Sequence, residues 1–207
     1  KIIESHLYLK PRTILNNKYM IGRVLGHGGF GITYLALDLT LESKVAIKEF
    51  LPGQIATRTA NENTLTIQTG SAKQDFDAGC NKFYSEAKTL AGMGNIIGIV
   101  NVKDFFRENN TAYMVMEYVE GITLKALIEK KGGYLKYDMC LAIFDPIMRA
   151  LSKIHELGLL HRDISPENIM LTKDFDVKLI DFGAARFLND GNNNSLSVIL
   201  KHGYAPE

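Results

Sequence analysis

Cysteine, net charge and long apolar runs are what this chain has least of. Cys80 and Cys140 are far apart and neither has a CxxC partner. They read as two thiols in the core or at the surface, not as a disulfide or a metal ligand, which fits a reducing, cytoplasmic location. Lys and Arg total 24 against 23 Asp and Glu, a net charge of +1. No field of one sign argues for nucleic acid or an anionic membrane, so any anion binding must be local. No apolar run approaches the roughly 18 residues of a membrane span. The start, Lys1-Ile-Ile-Glu-Ser-His6, lacks the apolar region of a signal peptide, although a tether outside this region stays open. The chain begins without Met and stops at Ala205-Pro206-Glu207, so it reads as a fragment of something longer.

With 207 residues, 46% of them hydrophobic, the chain can bury a core as one domain or as a two-lobed one. After a polar arm over 1–18, alternation and β-branched residues predict strands over Tyr19–Val24, Ile32–Asp38 and Lys44–Phe50, with a glycine turn at Gly26–Gly31. Residues 51–74 are rich in Thr, Asn, Gly and Gln and read as an insertion, in which Thr64–Thr69 alternates like one arm of a small hairpin. Phe76, Phe83, Ala87, Leu90 and Ala91 predict a helix over about 75–92, ended by Gly92 and Gly94. Strands over Ile99–Phe106 and Ala112–Val119 follow, then helices over Thr123–Lys131 and Tyr137–Leu157, with a kink or an Asp145-capped restart at Pro146. Near Tyr118 the pattern changes from mostly β to mostly α. Asn189–Asn194 is the one low-complexity tract and reads as a mobile loop.

The chemistry is concentrated in His161-Arg-Asp-Ile-Ser-Pro-Glu-Asn168 and, thirteen residues on, Asp181-Phe-Gly183. Metal-dependent phosphoryl transfer needs a carboxylate to orient a hydroxyl nucleophile, and a second carboxylate plus an amide oxygen to hold Mg²⁺ against ATP phosphates. Asp163, Asp181 and Asn168 are those residue types, in order. Taken singly, each reads as well as a turn or cap residue; the joint pattern does not. Gly26-His-Gly-Gly-Phe-Gly31 fits G-x-G-x-x-G, a pattern that dinucleotide-binding folds share. There the glycines open a helix, whereas here strand follows at Ile32, implying a strand-loop-strand flap whose amides lie over phosphates. Val45-Ala-Ile-Lys48 places Ala46 and Lys48 on one strand face, where Ala46 can admit a flat base and Lys48 can reach phosphates. Such a lysine needs a carboxylate, and Glu86 is the only acidic residue between Asp77 and Asp104; a helical pair of Lys82 with Glu86 is the bland alternative.

With these motifs assembled, the sequence resembles the protein kinase family, and most closely the bacterial Ser/Thr kinases of eukaryotic type. The resemblance rests on the glycine loop at 26–31, VAIK at 45–48, Glu86, Tyr113–Gly121, HRDISPEN at 161–168, DFG at 181–183 and APE at 205–207. It implies an α+β, two-lobed fold: an antiparallel β lobe with one helix over 19–117, and a partial, mainly helical lobe over 118–207. ATP would lie between the lobes. By the same resemblance Asp163 is the catalytic base, Lys48 and Glu86 pair to place the phosphates, and Asn168 and Asp181 hold Mg²⁺. Leu25, Gly26, Gly28, Gly31, Thr33, Ala46, Met116 as gatekeeper, the backbone of Glu117 to Val119, and Met170 would surround the nucleotide.

Departures from the family pattern set the open questions. Ser165 stands where Ser/Thr kinases usually carry a lysine that neutralises the transferred phosphate, Thr33 stands for a valine, and no Gly-Thr pair precedes APE. Lys201 is the candidate substitute for the missing cation. Arg162 and Arg186 are expected to receive a phosphate placed on Ser195 or Ser197. The expected activity is transfer of the γ-phosphate to Ser or Thr hydroxyls of protein substrates, with a nucleotide-binding pseudokinase scaffold as the alternative. A small-molecule phosphotransferase is disfavoured, because such enzymes usually lack the HRD arginine and the APE-ended segment. The 207 residues alone are expected to be impaired and to expose an apolar underside around Ile143, Ile147, Leu151 and Ile154, inviting dimerisation.

Overall fold

Strong β-formers alternate along the first half of the chain, and there the computed structural model builds an antiparallel sheet. Residues 5–29, 31–59, 62–181 and the strand 186–187 are described. The chain divides into two compact units, one of residues up to 94 with 101–118, the other of 95–100 with the residues from 119 onward.

In the first unit a short 3₁₀ turn (Ser5–Leu7) precedes β1 (Ile14–Leu15), β2 (Tyr19–Gly28), β3 (Gly31–Asp38) and β4 (Ser43–Phe50). A small hairpin, β5 (Ala56–Arg58) and β6 (Leu65–Ile67), follows, then α1 (Ser71–Gly92), β7 (Val102–Glu108) and β8 (Thr111–Glu117). The sheet order is β1-β2-β3-β4-β8-β7. Thr33, Lys48 and Met114 lie opposite one another across three strands, as do Leu35, Ala46 and Met116. Residues paired in this way share a sheet face. The other face therefore carries Tyr34, Ile47 and Val115, then Ile32, Glu49 and Tyr113. Helix α1 buries Phe76, Cys80, Phe83, Glu86, Ala87 and Leu90. It packs on the Lys48 face through Phe50, whose ring lies 5.3 Å from that of Phe76 and 5.7 Å from that of Phe83. The helix starts at Ser71, inside the segment 51–74 read as an insertion, because its first polar turn carries no apolar periodicity.

In the second unit the described elements are β9 (Gly121–Thr123), α2 (Leu124–Lys130), α3 (Tyr137–Glu156), β10 (Leu159–Leu160), β11 (Ile169–Thr172), β12 (Val177–Leu179) and β13 (Arg186–Phe187). Thr123 caps α2 by accepting the Ala126 amide at 3.1 Å. The strands form a three-stranded sheet, β12-β11-β9, and a separate β10-β13 pair. At Pro146, where a kink or a restart was expected, the structure shows no restart. Helix α3 runs unbroken through Pro146, since one missing N–H removes a single ladder bond in a helix whose buried face holds it to its neighbours. Asp145 does not cap a restart but pairs with Arg149 one turn on, at 2.8 Å. Ile143, Ile147 and Ile154 are core residues, and the exposed apolar side of α3 is formed by Tyr137, Leu141, Phe144 and Met148. Ile99, expected in a strand, makes only an isolated parallel bridge to Leu179, beside Gly98 at φ 89°. No helix among the described residues is long and apolar enough to cross a membrane.

Candidate active site

The glycine loop is the end of the β2–β3 hairpin: Gly26 faces Thr33, His27 faces Ile32 and Gly28 faces Gly31. These glycines differ in what they tolerate. A Cβ on Gly31 would sit 1.9 Å from the carbonyl oxygen of Glu49, so only glycine lets the returning strand lie on β4. A Cβ on Gly26 or Gly28 would meet, chain neighbours aside, no atom of the described residues within 4 Å. Packing within the chain does not demand glycine there, whereas close approach of a phosphate to the loop amides would. Leu25, where the loop begins, is partly exposed.

Beside the loop, Thr33, Ala46, Lys48 and Met116 occupy one sheet face. Lys48 is 6% exposed and Glu86, on the inner face of α1, 7%. The connection between them is traceable: Phe50, two residues after Lys48 on the same face, packs against Phe83, and Glu86 follows Phe83 by one helical turn. At the sheet margin the Glu117 N–H donates to the Asn101 carbonyl at 2.9 Å and its carboxylate accepts the Asn101 N–H at 2.8 Å. Val119, two residues after Glu117, belongs to the second unit.

In the second unit the HRDISPEN segment is organised by hydrogen bonds. His161 is buried, with Nε2 3.2 Å from the Ile180 carbonyl and Nδ1 accepting the Asp163 N–H at 3.3 Å. The Ile180 N–H donates to the Asn168 carbonyl at 2.8 Å. The Asn168 amide nitrogen donates to both the Asp163 carboxylate and the Asp163 carbonyl, each at 2.8 Å. Asp163, Asn168 and the residue preceding Asp181 are thus tied together, although seventeen positions separate the ends of the set. With its amide hydrogens engaged, Asn168 has its side-chain oxygen to offer a hard cation. Arg162 and Asp181 hold φ of 63° and 65°, a region costly for side chains with a Cβ and found at functional sites. The loop is braced from α2 by the Lys125 N–H on the Pro166 carbonyl (2.9 Å) and by the Lys125–Glu167 ion pair (2.6 Å). Ser165 is buried, and Met170 sits on β11 opposite Thr123 and Lys178.

The pattern of a glycine hairpin, a buried strand lysine and an HRD loop bonded to the residue before DFG can be compared with known families. The protein kinase domain family matches residues 19–207. The chain belongs to the protein kinase family. It is 34% identical over 197 residues to a probable serine/threonine-protein kinase of Clostridium acetobutylicum, covering 94% of this chain and 27% of that protein. Serine/threonine-protein kinase PknL of Mycobacterium tuberculosis is 31% identical over 187 residues, covering 90% and 42%. Serine/threonine-protein kinase PrkC of Bacillus subtilis is 32% identical over 195 residues, covering 93% and 27%. Among solved structures the apo form of PpkA-294 has a TM-score of 0.77 at 34% identity, covering 86% of this chain and 62% of that one. The chain spans between about a quarter and two fifths of the length of these curated relatives. The kinase fold, with its antiparallel β lobe, is shown by this likeness and by the sheet order.

Ser195, Ser197 and Lys201 lie outside the described residues. Of Arg186 the backbone is described, pairing with Leu160 in the β10–β13 ladder. What the sequence reading missed is on the opposite face of β4, where Glu49, buried, accepts from Tyr34 at 2.9 Å, from Tyr113 at 2.9 Å and from Arg58 of the inserted hairpin. One signal was available: Glu49 shares its face with Val45 and Ile47, and a lone charge on an apolar face must be paired.

Proposed function

We propose that this chain carries out ATP-dependent transfer of a phosphoryl group to Ser or Thr hydroxyls of protein substrates. The observation that carries the reading is the bonded set Asp163–Asn168–Ile180, which holds a carboxylate, an amide oxygen and the approach to a second carboxylate on one scaffold. In this reading Asp163 accepts the hydroxyl proton as the oxygen attacks, with its carboxylate oriented by Asn168. Lys48, held by Glu86, places the phosphates of ATP, whose oxygens also receive the amides of Gly26 and Gly28; Gly31 keeps the loop against β4. Leu25, Thr33, Ala46, Met116, the backbone of Glu117 to Val119, and Met170 surround the base. The residues fit Mg²⁺: Asn168 offers an oxygen and Asp181 a carboxylate, the hard donors this ion takes, and when bound it would draw charge from the phosphate oxygens.

The printed names of the relatives, Ser/Thr kinases, favour hydroxyl acceptors in protein over small molecules. Ser165 in place of the expected lysine is the feature that favours the alternative, a pseudokinase scaffold; retention of Asp163, Asn168 and Asp181 favours catalysis. Substituting Lys48→Met in the full-length protein decides between them. Phosphoryl transfer measured with γ-labelled ATP should fall at least about a hundredfold, since catalysis here is placement and charge. Unchanged transfer would remove Lys48 from the reaction.

A further inference from the structure

The buried cluster behind β4 joins parts of the chain that the reaction itself does not need. Glu49 (0% exposed) and Arg58 (2%) form an ion pair. Arg58 also donates to the carbonyl of Leu7 in the N-terminal arm and, at 2.9 Å, to that of Asn63 in the turn of its own hairpin. The Tyr34 hydroxyl, donating to Glu49, in turn accepts the Leu9 N–H at 3.2 Å, and Asn109 donates to the Tyr113 hydroxyl at 3.1 Å. Burial pushes the Tyr34 and Tyr113 phenols above their ordinary range, and the neighbouring Glu49 carboxylate pushes them further, so both are fixed as donors. Arg58 is held charged: burial alone would weaken its proton, and the Glu49 carboxylate more than reverses that.

A buried ion pair adds little to stability compared with apolar residues of the same size, but it demands one geometry. Here that geometry belongs to the residue between Lys48 and Phe50. The backbone carbonyl of Glu49 is also the atom on which Gly31 rests, and Phe50 seats α1 through Phe76 and Phe83. A shift of β4 at Glu49 would therefore move the lysine, the return of the glycine loop and the helix that carries Glu86. We propose that Arg58 of the inserted hairpin is a positioning residue for phosphoryl transfer, acting through Glu49 to fix β4 and the groups mounted on it. The inference rests on the kinase reading above.

The test uses the full-length protein and three variants, Arg58→Lys, Arg58→Met and the double change Glu49→Gln/Arg58→Met, with Lys48→Met as control. Steady-state kcat, KM for ATP and the thermal midpoint are measured for each. Arg58→Lys keeps the charge, and so the fold, but one ammonium cannot reproduce the planar fork that spans Glu49 and two carbonyls. Its kcat should fall about tenfold or more, with KM for ATP changed less than about threefold, as expected when a group is misplaced rather than lost. In the double variant no buried charge is left unpaired, so the midpoint should recover relative to Arg58→Met while kcat stays low. If the midpoint moves and kcat per folded molecule does not, or if the double variant regains wild-type kcat, Arg58 is only structural and the proposal is overturned. If the wild type transfers no phosphate and Lys48→Met changes nothing, the kinase reading itself fails and takes the positioning role with it.

Discussion

At the residue scale the chain concentrates cost where chemistry is proposed. Arg162 and Asp181 hold left-handed backbone, and Lys48, Glu86, Glu49 and Arg58 are charges removed from water. Tyr113 shows what such a charge requires. Tyr113→Phe would leave the Glu49 carboxylate short of a buried donor, and should lower unfolding free energy by about 1–3 kcal/mol in a denaturant titration. The same phenols set an alkaline limit. Both have folded pKa values raised above the usual 10.0, so their contribution is fully present below pH 10 and is lost as pH rises beyond it, where the unfolded chain ionises first. A Tyr34→Phe/Tyr113→Phe variant should lose stability less steeply than wild type above pH 10 in pH-resolved melts; equal slopes would place the phenols in water.

At the element scale, helix α1 lies close to the Phe50 ring at Gly79. A Cβ on Gly79 would lie 2.8 Å from the Phe50 ring, which also packs against Phe76 and Phe83. On an unconstrained helix Gly→Ala adds roughly 0.5–1 kcal/mol. Here Gly79→Ala should instead give no gain or a loss, and should lower phosphoryl transfer by displacing Glu86; a gain in midpoint with unchanged rate would show that the ring gives way without moving the helix. The elements also show which signals survive in sequence. Strands β2, β3, β4 and β8 were legible because alternation follows from one face being buried, and α1 because Phe76, Phe83, Ala87 and Leu90 repeat at helical spacing. The start of α1 at Ser71 was not legible, since its first turn is polar. At Pro146 sequence left a kink and a restart both open, and only the packed structure decides against the restart. Arg58 was invisible for a related reason: in a Thr- and Asn-rich segment a lone arginine has the pattern of a solvated one, and only the fold brings it to Glu49.

At the scale of the whole molecule, the proposed reaction draws on both units: glycine loop, Lys48 and Glu86 in the first, and Asp163, Asn168 and Asp181, proposed as base and metal donors, in the second. These parts were legible because each motif joins residue types with a fixed chemical task at short spacing, as in the eight residues of HRDISPEN. Less legible were the bonds that organise them. Neither the His161 bridge between Asp163 and Ile180 nor the Ile180–Asn168 bond follows from spacing, because both depend on how β11 and β12 return the chain. The claim that both sets serve one reaction stands or falls on Asp163. Transfer of labelled γ-phosphate from Mg²⁺-ATP to a protein substrate by the full-length protein, compared with its Asp163→Asn variant, is the direct measurement. The account predicts phosphoserine or phosphothreonine in the wild type and a rate at least about a hundredfold lower in the variant, with ATP affinity little changed. Equal rates in the two proteins would contradict it.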